Sequence, residues 1–154
     1  MLNYPTNPTG VILERDEVKG IVNYLKEKEI FIISDEIYAE NTFKGSHVSF
    51  AEFEEIRDQL LLIGGLSKSH SATGIRIGFL LGPEYLIEKL TFMHAYNCIC
   101  ANVPSQIACI AALNEGLDAP QYMNRAYIER RNYLVSKLKA VSYTHLTLPT
   151  NREV

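Results

Sequence analysis

Lys68 stands in Gly64-Gly65-Leu66-Ser67-Lys68-Ser69-His70-Ser71-Ala72-Thr73-Gly74, directly after the apolar run Leu60-Leu61-Leu62-Ile63. Small neighbours let a ligand come close to the amine. Partial burial or a nearby cation would depress its pKa, and the neutral amine can then attack a carbonyl to form a Schiff base. A solvated loop lysine has the same spacing. Arg76, eight residues on and set between Ile75 and Ile77, reads as a cation inside an apolar strand. A buried charge needs a counter-charge, which a phosphate or a buried carboxylate would supply equally well. Asp35 closes the run Ile30-Phe31-Ile32-Ile33-Ser34. A carboxylate there can keep a heteroaromatic nitrogen protonated, or it can cap the first turn of a helix. Tyr38, three residues later, can donate to the same ligand or cover the edge of the core. Asn7 sits between Pro5 and Pro8, where its amide is well fixed for a ligand or for local backbone bonding.

These residues need elements to hold them. Met1 to Tyr4 reads as the end of a strand, stopped by the turn Pro5-Thr6-Asn7-Pro8-Thr9-Gly10. Asp16 is placed to cap a helix reaching about Glu29, whose apolar positions Val18, Ile21, Val22 and Leu25 share one face. Ile30–Ile33, Leu60–Ile63 and Arg76–Leu81 are short apolar runs that suit strands buried on both faces. Helices are expected over Pro83–Asn97, Pro104–Asn114 and Ala119–Lys139. Strands alternating with amphipathic helices predict an α/β sheet, and in such sheets chemistry gathers beyond the carboxyl ends of the strands. Ser34-Asp35-Glu36 and Ser67-Lys68 both fall there.

The remaining composition narrows the function classes. The chain has 154 residues, 47% of them apolar, which is too rich for a disordered chain. A formal charge of −3 gives no basic face for nucleic acid, and no apolar run approaches a membrane span. Met1-Leu2-Asn3-Tyr4-Pro5 has neither the basic start nor the apolar stretch of a signal peptide. A cytoplasmic protein with Cys98, Cys100 and Cys109 as reduced, buried thiols is therefore expected. Cys98 and Cys100 are separated by one residue, not the two usual for zinc, so no metal site is expected. Arg125, Arg130 and Arg131 read as the wet face of a helix, and His70 as a loop residue beside Lys68 that points to solvent or to the site.

Asn7-Pro8-Thr9-Gly10, then Ser34-Asp35-Glu36-Ile37-Tyr38, then Ser67-Lys68 with Gly74-Ile75-Arg76-Ile77-Gly78 resemble the class I/II aminotransferases of the pyridoxal-phosphate fold type I. The separations, 28 residues from Asn7 to Asp35 and 33 from Asp35 to Lys68, agree with that family. The resemblance covers roughly residues 1 to 140. It implies part of an α/β large domain, with a mostly parallel sheet and flanking helices, and the start of a small domain. The large-domain part would span residues 1–118, a long helix leading to the small domain 119–140, and a non-native tail 141–154. That tail resembles the translated read-through of a sequencing adapter, so a fragment is expected.

The same resemblance implies pyridoxal 5'-phosphate as cofactor, and it implies roles. Lys68 would form the Schiff base and shuttle the proton. Asp35 would pair with the pyridine nitrogen. Asn7 and Tyr38 would hydrogen-bond the 3' oxygen, while Arg76 and Ser67 would hold the phosphate. Many relatives carry a second serine three residues before the lysine; here that position is Gly65. The implied reaction moves an amino group from an amino acid to a 2-oxo acid in a homodimer. A β-lyase of the same fold would share these cofactor residues, although Thr9 leans towards transfer. The further alternative is a catalytically incompetent fragment. Family members are well over twice this length, so weak cofactor binding and no turnover are expected of the chain alone.

Overall fold

Short apolar runs separated by amphipathic helices leave one economical arrangement, a sheet whose backbone groups pair strand to strand with helices against its faces. The computed structural model describes residues 1–141 and has this arrangement. Strands β1 (Leu2–Asn3), β2 (Ile32–Asp35), β3 (Leu60–Gly64) and β4 (Phe79–Leu81) form one sheet in the order β1-β2-β3-β4. The first three run parallel, with Asn3 opposite Asp35 and Asp35 opposite Ile63. β4 closes the edge antiparallel, pairing Gly64 with Phe79. Helices α1 (Arg15–Leu25), α2 (Leu66–Ser69), α3 (Glu84–Cys98), α4 (Val103–Glu115) and α5 (Ala119–Ala140) follow in chain order.

The core forms where α1 meets the sheet. Val18 and Val22, one helical turn apart, are almost fully buried and pack with Ile32, Leu60, Val48, Phe50 and Ile56. Phe50 and Ile56 arrive on two short 3-10 turns, Phe50–Glu52 and Glu54–Gln59, so the connection between β2 and β3 is itself part of the core. An ion pair between Arg15 and Glu52 ties the start of α1 to that connection.

Several boundaries differ from the sequence expectation. Glu14, not Asp16, precedes the first helix, and its amide donates to the Glu17 carboxylate at 2.8 Å in a capping box. That helix stops at Leu25, because Lys26 to Glu29 carry no apolar side chain to hold another turn against the core. β2 starts at Ile32, opposite Leu60, the first residue of β3; Ile30 and Phe31 lie before that pairing begins and stay exposed. Nor is β2 buried on both faces, since burial alternates along it. The stretch Arg76–Leu81 is a strand only from Phe79, on an exposed edge. Ahead of it, the 3-10 turn Thr73–Ile75 leads into Arg76 at φ +52°. The three later helices lie where expected. Cys98 and Cys100 are exposed, contrary to the expectation of buried thiols, because the end of α3 and the link after it are left open to solvent, and Cys109 on α4 is half-buried. Of the expected tail, residues 141–154, all but Val141 lie outside the described residues.

Phe50 is 1% exposed at the centre of this core. Phe50→Ala is expected to lower the unfolding free energy by about 3–5 kcal/mol, read from the urea midpoint at constant slope.

Candidate active site

Parallel pairing puts the carboxyl ends of β1, β2 and β3 on one edge, and the three segments that leave them meet there. From β1 the chain enters the turn Pro5–Gly10. Thr6 Oγ1 donates to Asn3 O at 2.8 Å, Gly10 N–H to Thr6 O at 2.7 Å and Thr6 N–H to Val11 O at 3.0 Å. Gly10 has φ +69°, a conformation glycine adopts without cost, and it lets the turn close. The turn projects Asn7, whose Nδ2 donates to the Tyr38 hydroxyl at 3.2 Å. Tyr38 comes from the segment after β2 and α2 carries Lys68, whose Nζ lies 5.4 Å from the centroid of the Tyr38 ring. Asn7, Tyr38, Ser67 and Lys68, together with Ser71 and Tyr127, line an open cavity of about 490 Å³. That is the size of an ordinary small-molecule site.

The structure does not bring every candidate into this cavity. Asp35 ends β2 half-buried, with Oδ1 accepting the Ile37 amide at 3.2 Å, so its carboxylate does cap a turn. Arg76 is not embedded in a strand. Its guanidinium is exposed, and Nη1 donates to Thr73 O at 2.9 Å within its own loop. The apolar neighbours Ile75 and Ile77 mimic a strand, but the left-handed Arg76 bends the chain before β4 begins. His70 points neither to solvent nor into the cavity. Its Nε2 lies 3.1 Å from Gly116 O and its Nδ1 2.9 Å from Ser69 Oγ, a bridge from α2 to the turn after α4. Arg125, Arg130 and Arg131 are exposed as expected.

Gly65 has a packing reason. A Cβ there would lie 3.2 Å from Gly78 Cα, from Ile77 O and from Ile37 Cδ1. Two of those atoms are backbone, so a serine at this position would push the loop 76–78 away from α2.

Two groups escaped the sequence reading. Tyr127, on α5, meets Ser71 hydroxyl to hydroxyl at 3.0 Å, and nothing in the local sequence announces a contact across 56 positions. Glu36 is buried beside Asp35. Its carboxylate accepts from Ser34 Oγ at 2.9 Å, Phe50 N–H at 3.1 Å and His47 Nε2 at 2.7 Å. The parity of Ile32, Ser34 and Glu36 along the strand was the available signal. Burial pushes the Glu36 carboxyl up. The hydrogen bonds it accepts, that from His47 foremost, together with the attraction of His47, outweigh burial and leave it below its ordinary value.

Comparison with known proteins follows from this geometry. The family described as aminotransferase class I and II matches residues 1–151. The chain is 44% identical over 138 residues to the probable N-acetyl-LL-diaminopimelate aminotransferase of Bacillus subtilis (strain 168), covering 90% of this chain and 35% of that protein. It is similar to the crystal structure of an aspartate aminotransferase from Thermotoga maritima, with a TM-score of 0.82 and 34% identity over 90% of this chain and 36% of that one. Against the N-succinyldiaminopimelate aminotransferase of Mycobacterium tuberculosis the TM-score is 0.86 at 26% identity, over 91% of this chain and 37% of that one. The chain thus spans about a third of the length of the curated relatives it matches. The mostly parallel α/β sheet is that of part of the pyridoxal-phosphate fold type I.

A carboxyl whose folded pKa is depressed contributes stability that is fully present above its unfolded value and is lost as the pH falls through its folded value. Stability measured by urea unfolding is therefore expected to fall as the pH drops below about 4.5, the ordinary value for this group. In Glu36→Gln the protein starts less stable at neutral pH and loses less over that acid range.

Proposed function

Because the chain belongs to the class I and II aminotransferase family, we propose that it carries the cofactor-binding half of a pyridoxal 5'-phosphate-dependent aminotransferase site. The observation that carries this reading is the meeting of Lys68 with the Asn7–Tyr38 pair in one cavity. The donor set suits the group. It offers an amine for the aldehyde, an amide and a phenol for the ring oxygen, and hydroxyls beside the lysine for a phosphate. Residues 1–118 form the part of the large domain that holds the cofactor, and the helix over 119–140 leads towards the small domain.

When bound, pyridoxal phosphate supplies an electron sink for negative charge developing at the substrate Cα. Lys68 would hold the cofactor's aldehyde through its amine and would serve as the base that carries a proton at the substrate Cα. Asp35 keeps the ring nitrogen protonated. Asn7 and Tyr38 bind the 3' oxygen, and their existing hydrogen bond sets both groups in place beforehand. Ser67 donates to the phosphate. Arg76, now bonded only to the Thr73 carbonyl, would be available to the phosphate, the stronger, charge-assisted partner.

The substrates are an amino acid and a 2-oxo acid. N-acetyl-LL-diaminopimelate and aspartate, named for the relatives at 44% and 34% identity, are the donors to try first. The working form is a cytoplasmic homodimer. Exposed apolar side chains on α3 and α4, among them Phe92, Met93, Ile107 and Ile110, call for cover of that kind.

Titration of the full chain with pyridoxal phosphate is expected to produce a visible absorption band that Lys68→Ala abolishes. Borohydride reduction should fix the cofactor on the peptide bearing Lys68. A band that persists in Lys68→Ala would overturn the assignment. Tyr38→Phe removes one neutral hydrogen bond, and cofactor affinity should fall about five-fold, equivalent to ~1 kcal/mol. With an amino-acid donor and a 2-oxo acid, release of ammonia without a new amino acid would overturn transfer.

A further inference from the structure

Along the end of β2 the side chains alternate. Ile32, Ser34 and Glu36 are buried on the core face, whereas Ile33, Asp35 and Ile37 are half-buried on the other. Glu36 N–H extends the ladder past the strand by donating to Ile63 O at 3.0 Å, and Glu36 O accepts from Ala39 N–H at 2.9 Å to start the 3-10 turn Ala39–Asn41. One residue thus ends the strand and opens the turn that carries Tyr38.

Its side chain fixes the rotation of that junction. A carboxylate with 6% exposure is costly unless its oxygens are satisfied, and three donors satisfy them here. Ser34 belongs to the same strand, but His47 and Phe50 belong to the connection that is packed into the core. His47 is itself only 11% exposed, so the clamp stands on a rigid base. An ionised carboxylate accepts only, which makes His47 Nε2 the donor.

We propose that Glu36, clamped by His47, is a positioning residue for the aminotransferase reaction: anchored on the core face, it aims the Asp35 carboxylate and the Tyr38 hydroxyl at the cofactor on the opposite face. The inference rests on the functional reading above. Neither Glu36 nor His47 touches the ligand. With the clamp released, the junction turns about the strand axis. Tyr38 then loses its approach to the cavity and Asp35 the orientation that its role would need, although both residues are still present.

The test uses the full chain saturated with pyridoxal phosphate, following the visible absorption of the bound cofactor against pH. Both contacts favour the unprotonated chromophore, so weakening them is expected to raise the pH midpoint by about one unit in Glu36→Gln. Cofactor affinity should fall about ten-fold, the cost of a lost charge-assisted bond. His47→Gln, which leaves the carboxylate with Ser34 and Phe50, should shift the midpoint in the same direction by less and serves if Glu36→Gln fails to fold. Val22→Ala destabilises the core through α1 and should leave the midpoint where it is. A wild-type midpoint in folded, loaded Glu36→Gln or His47→Gln overturns the inference alone, as does an equal shift in Val22→Ala. Failure of the wild-type chain to take up pyridoxal phosphate overturns the functional reading, and the inference falls with it.

Discussion

Parallel pairing of three short strands is the constraint on which the rest depends. Because β1, β2 and β3 run the same way in register, the residues after Asn3, Asp35 and Gly64 emerge side by side. Antiparallel pairing of any one would send its functional segment to the far edge, about 17 Å away for a strand of five residues. The strands are too short to hold that register by their ladders alone. Two residues of β1 and four of β2 give few hydrogen bonds, so the packing of α1 and of the 48–56 connection against Ile32 and Leu60 must fix the direction.

That packing explains why the polar segments can be both irregular and well placed. The turn after β1 is held by its own backbone bonds and the left-handed Gly10. The segment after β2 is held by the buried Glu36 carboxylate, and α2 by the His70 bridge to Gly116. Each chemically useful side chain therefore stands opposite a structural one close by in sequence: Asp35 beside Glu36, Lys68 near His70. Neither structural partner lines the cavity; Glu36 is buried and His70 half-buried. The useful one keeps its hydrogen-bonding capacity.

Much of this was readable from residues. The order of the motifs, the strand at Leu60–Gly64 and the three later helices follow from local pattern, because apolar periodicity and turn residues act over a few positions. The misreadings share a cause. Ile75-Arg76-Ile77 alternates like a strand, and only the left-handed backbone at Arg76, imposed by the turn against it, breaks the pattern. Ile30 and Phe31 look like strand residues but find no partner, since the pairing with β3 begins only at Ile32 and Leu60. Asp16 is a good cap in isolation, yet Glu14 wins through a reciprocal bond with Glu17. The Tyr127–Ser71 contact and the Glu36–His47 pair are tertiary facts, legible only as residues of suitable chemistry.

Gly65 shows how closely the scaffold and the site compete for the same space. A serine at this position would add a hydroxyl beside the start of α2. Here the backbone of Ile77 and Gly78 occupies the room that a Cβ would need, and the Ile37 side chain closes the third side. The close approach joins three segments at one point: the start of α2, the chain leaving β2 and the loop entering β4. A missing hydroxyl is thus exchanged for a tighter junction between the elements that carry Lys68, Tyr38 and Arg76. The short 3-10 turn ahead of Arg76 keeps that guanidinium at the surface, held to the Thr73 carbonyl by a single described bond. A cation held by one neutral acceptor would gain from an anionic partner, so Arg76 keeps an electrostatic capacity that its present contact leaves unused.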